Sequence, residues 1–318
     1  MNITHPLFHI LDFGQQPLLE KIEAVGRVCY KSEDKICEGS AQRFVRSLIN
    51  NQHHAMLEHA SIILRMTYRA YEHINNIITH YERGTGLPSF LLRSASATND
   101  VFIISGNIRA WRNFIAYFPQ PILMPKGFSE AFVSYPELFG DVQTGLRSGD
   151  WYGEVWEISA GELPTACDVL RHLPMTVKFT VDIIVARELC RHRMASHAGS
   201  STRYCDYSKG KFGSEITVVE PTEACEENEA FIRSAMYAEQ KYLEQRKDGI
   251  PPEIARSSLP LATMCEHVVT ATLERWRDIF ALRALDKTGK AHPQMKRVML
   301  PLLETCEALY PSINWRRN

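Results

Sequence analysis

The sequence predicts an α/β fold of the α+β type, with a central mixed sheet, flanking helices and an inserted subdomain. Three observations carry this. Residues 62–68 and 176–183 alternate in polarity with period two, as half-buried strands do. Residues 17–29, 41–49, 226–247 and 294–309 space their apolar side chains at helical intervals. Between the two strands, 69–174 is rich in aromatic and turn residues and too apolar to be a solvated linker. It is expected as the inserted subdomain, which leaves 1–68 and 175–318 as the core. A chain of 318 residues, at roughly 150 per domain, has room for both.

The elements follow in order. PLLEKIEAVGRVC at 17–29 and AQRFVRSLI at 41–49 read as amphipathic helices. The first strand sets Ile62, Leu64, Met66 and Tyr68 against Ile63, Arg65 and Thr67; the second sets Val177, Phe179, Val181 and Ile183 against Thr176, Lys178, Thr180 and Asp182. A helix is expected over 184–193 and a short strand at 215–220. The helix at 226–247 carries Ile232, Ala235, Met236 and Leu243 on one stripe and stops at Asp248-Gly249, before Pro251-Pro252. Two further helices are expected at 262–285 and 294–309, the second bent at Pro301. Trp276 and Phe280 read as core residues of the former.

Charge narrows the function. Lys and Arg number 36 against 37 Asp and Glu, so no global field favours nucleic acid or an anionic membrane, and anion binding must come from local arginines. The eight cysteines form no C-x-x-C pair, which argues against a zinc ribbon, a thioredoxin-like motif or a disulfide framework. The N-terminus lacks a basic n-region, and no uncharged apolar run reaches ~18 residues. A cytoplasmic protein acting on small molecules is the expectation.

The densest polar cluster is Arg191-His192-Arg193, followed by Ser196, Ser200, Ser201, Thr202, Arg203 and Tyr204. Arg-His-Arg at a helix end is stabilising by itself, since cations meet the negative end of the dipole. The hydroxyl-rich loop that follows adds a different capacity. Several hydroxyl and backbone N–H donors beside an arginine converge well on phosphate oxygens, and guanidinium groups stack on flat heteroaromatic rings. His53, His54 and His59 lack a second cluster to complete a metal set, so no metal is expected. Ser201 has no triad partner and reads as a substrate contact. Cys190 and Cys205 read as buried packing residues.

Arg191-His192-Arg193, seven residues, then Ser201-Thr202-Arg203-Tyr204 resembles the R-H-R-x7-S signature of the flavin-dependent thymidylate synthases. His53 to His59 resembles that family's H-x-S/T-x-x-E-H element, and Glu253-Ile254-Ala255-Arg256 with Leu259-Pro260 its E-x-A-R-x-x-L-P element. Arg27 to Tyr30, Trp276 to Arg283 and His292-Pro293-Gln294 agree in the same order, so the resemblance spans about 1–68 and 175–310. It implies FAD contacts at His53, Glu58, Arg191, His192 and Arg193. It places the pyrimidine nucleotide against Glu188, Gly199, Ser200, Ser201, Thr202, Arg203, Arg256 and Arg283, with Arg256, Arg283 and Ser201 nearest the chemistry. It further implies a homotetramer, NADPH as reductant and methylenetetrahydrofolate as carbon donor. The unrelated thymidylate synthase that attacks uracil with cysteine is excluded by the absence of its P-C-H segment.

The sequence departs from that pattern at Ala55, which replaces a hydroxyl residue, and at Gly199, where the family has Glu or Gln. At Thr272 and Glu274 the family has an N-x-R pair that contacts FAD. Residues 105–118 (SGNIRAWRNFIAYF) resemble 270–283 (TATLERWRDIFALR), with Asn107 and Arg109 falling on Thr272 and Glu274. Two amphipathic helices share periodicity easily, so this similarity alone has a bland reading: Asn107 as a helix cap and Arg109 as a solvated side chain. The alternative expectation is that Asn107 and Arg109 supply the displaced FAD contacts. Three activities stay open: synthesis of dTMP from dUMP, modification of another pyrimidine nucleotide such as UMP, with Gly199 leaving room, and flavin or nucleotide binding without synthase activity.

Overall fold

The computed structural model describes residues 1–11, 16–96, 100–118, 121–142, 146–163, 167–203, 205–209, 213–221 and 228–317. Tyr204 and the start of the expected 226–247 helix lie outside them. Strands β1 (Asn2–Thr4) and β2 (Leu7–Leu11) lead into helices α1 (Leu18–Tyr30) and α2 (Ser40–Asn50), a 3-10 segment His54–His59 and strand β3 (Ser61–Met66). Helix α3 (Tyr68–Thr85), strands β4 (Leu92–Ser96) and β5 (Val101–Asn107) and helix α4 (Ile108–Ala116) follow, then β6 (Ile122–Lys126), α5 (Phe128–Val133), α6 (Pro136–Phe139) and β7 (Leu146–Ile158). A 3-10 segment Cys167–His172 opens a second series: β8 (Pro174–Asp182), α7 (Ile183–Leu189), β9 (Ser196–Gly199), β10 (Thr217–Val219), α8 (Glu229–Lys247) and α9 (Pro252–Ala255). The chain ends through β11 (Met264–Thr272), α10 (Leu273–Arg283) and α11 (Pro293–Leu309).

Two sheets hold the molecule together. The first has the order β4-β5-β3-β7-β6, the second β2-β8-β11-β9, and β1 pairs with β10 in a small parallel ribbon. On the first sheet, Ile62, Leu64 and Ile104 pack with Ile22 and Val45 from α1 and α2 and with Trp111 and Phe132. On the second, Val177, Phe179 and Val269 pack with Trp276, Phe280, Leu302 and Trp315. Trp276 and Phe280 are fully buried, as their helical spacing predicts.

The expected boundary at 68/69 does not separate two bodies. β3, from the core side of it, is hydrogen-bonded to β5 and β7 from the other side, and one apolar core contains residues from both. The expected helix at 262–285 is corrected too: its first part is strand β11, and helix begins only at Leu273. Val268, Val269, Thr270 and Thr272 are β-branched and favour a strand, but His267 to Ala271 are all buried, so no polar–apolar alternation marks it. The expected 184–193 helix stops at Leu189, which leaves Arg191-His192-Arg193 on the turn beyond it.

The two sheets are built around one unit used twice. β3 runs antiparallel to β5 with Ser61 opposite Asn107 and Ile62 opposite Gly106; β8 runs antiparallel to β11 with Pro174 opposite Thr272 and Met175 opposite Ala271. Asn107 then caps α4 by accepting from the Ala110 N–H at 2.8 Å, and Thr272 caps α10 by accepting from the Arg275 N–H at 3.4 Å. Four residues past each cap, Trp111 donates to the Ile62 carbonyl (3.2 Å) and Trp276 to the Met175 carbonyl (3.0 Å). The similarity of 105–118 to 270–283 is therefore a shared strand–cap–helix construction, down to the carbonyl each indole reaches.

Candidate functional site

An open cleft of about 420 Å³ lies where the two units meet. The starts of both capped helices line it, together with Arg109, Arg193 and Arg275. Helix N-termini carry partial positive charge and free N–H groups, so this wall suits an anion such as a phosphate. Glu58 anchors the cationic side. Its carboxylate pairs with Arg109 at 2.7 Å and accepts from the Ser196 hydroxyl at 3.2 Å, joining the first unit to the strand after Arg193. The structure thus gathers Glu58, Asn107, Arg109 and Arg193 around one space. Asn107 caps its helix as in the bland reading, whereas Arg109 is ion-paired at the cleft rather than merely solvated.

Two buried histidines face each other's unit across this seam. His59, from the segment before β3, shares a hydrogen bond with Thr270 of β11 at 2.8 Å. His172, from the segment before β8, shares one with Ser105 of β5 at 2.7 Å. Burial drives both imidazoles down to about 3, so each is neutral, and neither Nε2 has a partner among the described residues. His172 is 1% exposed and lines the cleft.

Beyond α7, which Asp182 caps through the Val185 N–H, the Arg-His-Arg turn divides its side chains. Arg191 and Arg193 are exposed, while His192 is half-buried. Arg283 donates Nε–H to His192 Nε2 at 3.0 Å and reaches Glu188 through its carboxylate (2.8 Å) and carbonyl (3.2 Å). Burial first, and the Arg283 charge second, hold His192 down at about 4, which keeps its Nε2 lone pair available as an acceptor. His197 donates to the His192 carbonyl at 3.1 Å and accepts from His267 Nε2 at 3.1 Å; Cys190 lies 3.8 Å from the same nitrogen. Cys190 is exposed, contrary to its reading as a packing residue, whereas Cys205 is buried.

Gly199 pairs with His267 in the β9–β11 ladder, and a Cβ on it would come within 2.9 Å of His267 Nδ1. The expectation that Gly199 leaves room is corrected: an imidazole already occupies the space a side chain there would enter. Sequence reasoning passed over His267, His172 and Ser105. The last two become findable once the 105–118 and 270–283 similarity is carried back along the strands.

The hydroxyl loop is a separate cluster. Ser201 N–H donates to the Cys29 carbonyl (3.2 Å), its hydroxyl accepts from Arg203 N–H (3.3 Å), and Arg256 donates to the Thr202 hydroxyl (3.4 Å). Ser200 N–H donates to the Glu266 carbonyl at 2.8 Å, and its hydroxyl accepts from Glu266 N–H at 3.1 Å. A second cleft beside this loop is lined by Cys29, Tyr30, His53, Met56 and Arg109, so Arg109 stands in the wall of both clefts. Of the expected nucleotide residues, Ser201, Thr202, Arg203 and Arg256 come together here, and Glu188 with Arg283 forms its own pair beside His192.

Residues 166–312 match the family model described as "Thymidylate synthase complementing protein". No curated protein matches the chain by sequence. Among solved structures, the chain is similar to the UMP/dUMP methylase PolB from Streptomyces cacaoi, solved with 5-Br dUMP. The two share 14% identity at a TM-score of 0.40, over 97% of this chain and 93% of that one. No helix among the described residues is long and apolar enough to cross a membrane.

Proposed function

Because residues 166–312 match the thymidylate synthase complementing family model, we propose that the chain is an FAD-dependent enzyme that methylates dUMP to dTMP, with methylenetetrahydrofolate as carbon donor and NADPH as reductant. The observation that carries this reading is the convergence of Glu58, Asn107, Arg109 and Arg193 on one cleft, which shares Arg109 with the second cleft beside the Ser201–Arg203 loop. The cleft's donors fit a dinucleotide cofactor. Two helix N-termini and three arginines suit a pyrophosphate, and the buried His172 Nε2, without a partner among the described residues, is a polar atom that a ligand contact would satisfy. His53, Glu58, Arg191, His192, Arg193, Asn107 and Arg109 are the residues proposed to hold FAD.

When bound, the flavin supplies the redox chemistry. The chain's own residues bind and polarise the nucleotide. Ser201, Thr202 and Arg203 on a short loop, with Arg256 reaching in to Thr202, offer hydroxyl and guanidinium donors, the donor set a phosphate dianion takes. Arg283, fixed by Glu188 and His192, is a pre-oriented cation for negative charge developing on a uracil oxygen. Glu188, Gly199 and Ser200 complete the proposed nucleotide wall. The resemblance adds a homotetramer acting on small-molecule substrates.

The test is product analysis with dUMP and UMP in parallel, each with methylenetetrahydrofolate and NADPH. Thymidylate from dUMP supports the proposal. A methylated product from UMP alone moves the substrate to the ribonucleotide, and flavin uptake without product from either reduces the chain to a binding protein.

A further inference from the structure

Resting on the flavin reading above, we infer that the chain is a fused pair of related units that takes one dinucleotide, at the helix start that carries Arg109, the other helix start being matched already by a carboxylate of its own helix.

The correspondence reaches every layer of the seam. Ser61 and Pro174, Ile62 and Met175, Asn107 and Thr272, and Trp111 and Trp276 occupy equal places in the two strand–cap–helix units. His59 and His172 sit equally far before their strands, and each bonds a hydroxyl of the other unit, Thr270 or Ser105, which themselves correspond. This reciprocity is that of a two-fold contact, in which residue i meets j and j meets i. Here it is made inside one polypeptide.

One pair breaks the symmetry by exchanging signs. In the first unit Glu58 precedes the strand and Arg109 lies in the first turn of the helix, 2.7 Å apart. In the second, Arg171 precedes the strand and Glu274 lies in the first turn, 3.6 Å apart. The consequences at the two helix starts are opposite. Glu274 puts a carboxylate where a helix dipole favours negative charge, so α10 carries its own anion. Arg109 puts a cation there, against the dipole; Glu58 balances that charge at 2.7 Å, and an incoming anion would meet the guanidinium and the helix N–H groups together. The loop before the next strand diverges in step. β4 and β9 flank β5 and β11 with Leu92 opposite Ser105 and Ser196 opposite Thr270. Counting back equally from those two residues sets Leu87-Pro88-Ser89 against Arg191-His192-Arg193. The Glu274 half therefore lacks a counterpart of the Arg-His-Arg turn and carries its acid at the helix start. The Arg109 half draws Glu58, Asn107 and Arg109 from the first unit and Arg193 from the second.

Two charge swaps test this on the full-length protein, with FAD uptake read by flavin fluorescence and apoprotein melting as the control for folding. The unaltered chain should bind one FAD. Glu58→Arg with Arg109→Glu makes the Arg109 half resemble its twin and should weaken FAD by more than about tenfold, the loss of a charge-assisted contact. Arg171→Glu with Glu274→Arg should leave affinity within about twofold. Each swap rebuilds its ion pair but gives up one further bond, that of Ser196 to Glu58 or of Arg171 to the Arg93 carbonyl, so Arg109→Gln, which keeps Glu58, is the folding-neutral check and should show the same loss of FAD. Two flavins per chain, or equal loss from both swaps, overturns the inference. No uptake of FAD by the unaltered protein rejects the flavin reading itself, and this one with it.

Discussion

Arg203 lies on, and Arg256 reaches, a loop whose hydroxyls are held by local bonds of 3.3 and 3.4 Å, so each guanidinium adds to a pre-arranged set of donors. Removing either should cost a charge-assisted hydrogen bond to the nucleotide, about 1.5–3 kcal/mol, or roughly 10- to 150-fold in affinity. Calorimetric titration of Arg203→Ala and Arg256→Ala with dUMP measures this, and unchanged affinity in both contradicts the assignment. Arg283 should behave differently. Its side chain is the shared partner of Glu188 and His192, so Arg283→Ala strips two protein groups of a bond as well as the substrate. Arg283→Ala should therefore lower the melting temperature of the apoprotein, whereas Arg203→Ala should leave it within a degree or two, since Arg203 is exposed. Equal melting temperatures for the two variants speak against Arg283 as a braced cation.

At the scale of elements, α4 and α10 make matched demands on their strands. Trp111→Phe and Trp276→Phe each keep an aromatic ring in the core but leave the Ile62 or Met175 carbonyl without its indole donor. Each should destabilise by about 1–3 kcal/mol, the cost of a buried unpaired polar group, and by similar amounts. Urea unfolding of both variants checks this; a large inequality would mean the two units are not energetic equivalents. These helices also show where the sequence is legible. The cap, the tryptophan four residues on and the amphipathic stripe are local features, so α4 and α10 can be compared by eye. β11 is not legible in the same way. Its sequence, MCEHVVTAT, lacks the period-two alternation that marks β3 and β8, and the helix that follows invites a single long helical reading. The Arg-His-Arg and Ser201–Arg203 clusters stand out because polar residues crowd together in sequence. His267 beneath Gly199 does not, since only the β9–β11 register brings them side by side.

Across the whole molecule, the histidines of the seam and its surroundings act together. His59 and His172 are held at about 3, and His192 and His267 at about 4, each mainly by burial, against an ordinary value of 6.5. The folded chain thus binds these protons more weakly than the unfolded chain does. Stability from these groups is whole above about pH 6.5 and drains away as pH falls toward 3–4. The melting temperature should decline steadily over that window, and His59→Gln should flatten part of the decline; a constant melting temperature from pH 7 to 4.5 contradicts the neutral assignment. The crossed histidine bonds also set a clock. His59 and Thr270 lie 211 residues apart in the chain, whereas His172 and Ser105 lie 67 apart. At roughly 5–20 residues per second, a ribosome delivers Thr270 about 10–40 s after His59. Through that interval the newborn first unit holds an imidazole shaped for a dry interface against water. Only the emergence of β11, late in translation, completes the surface that β3 began.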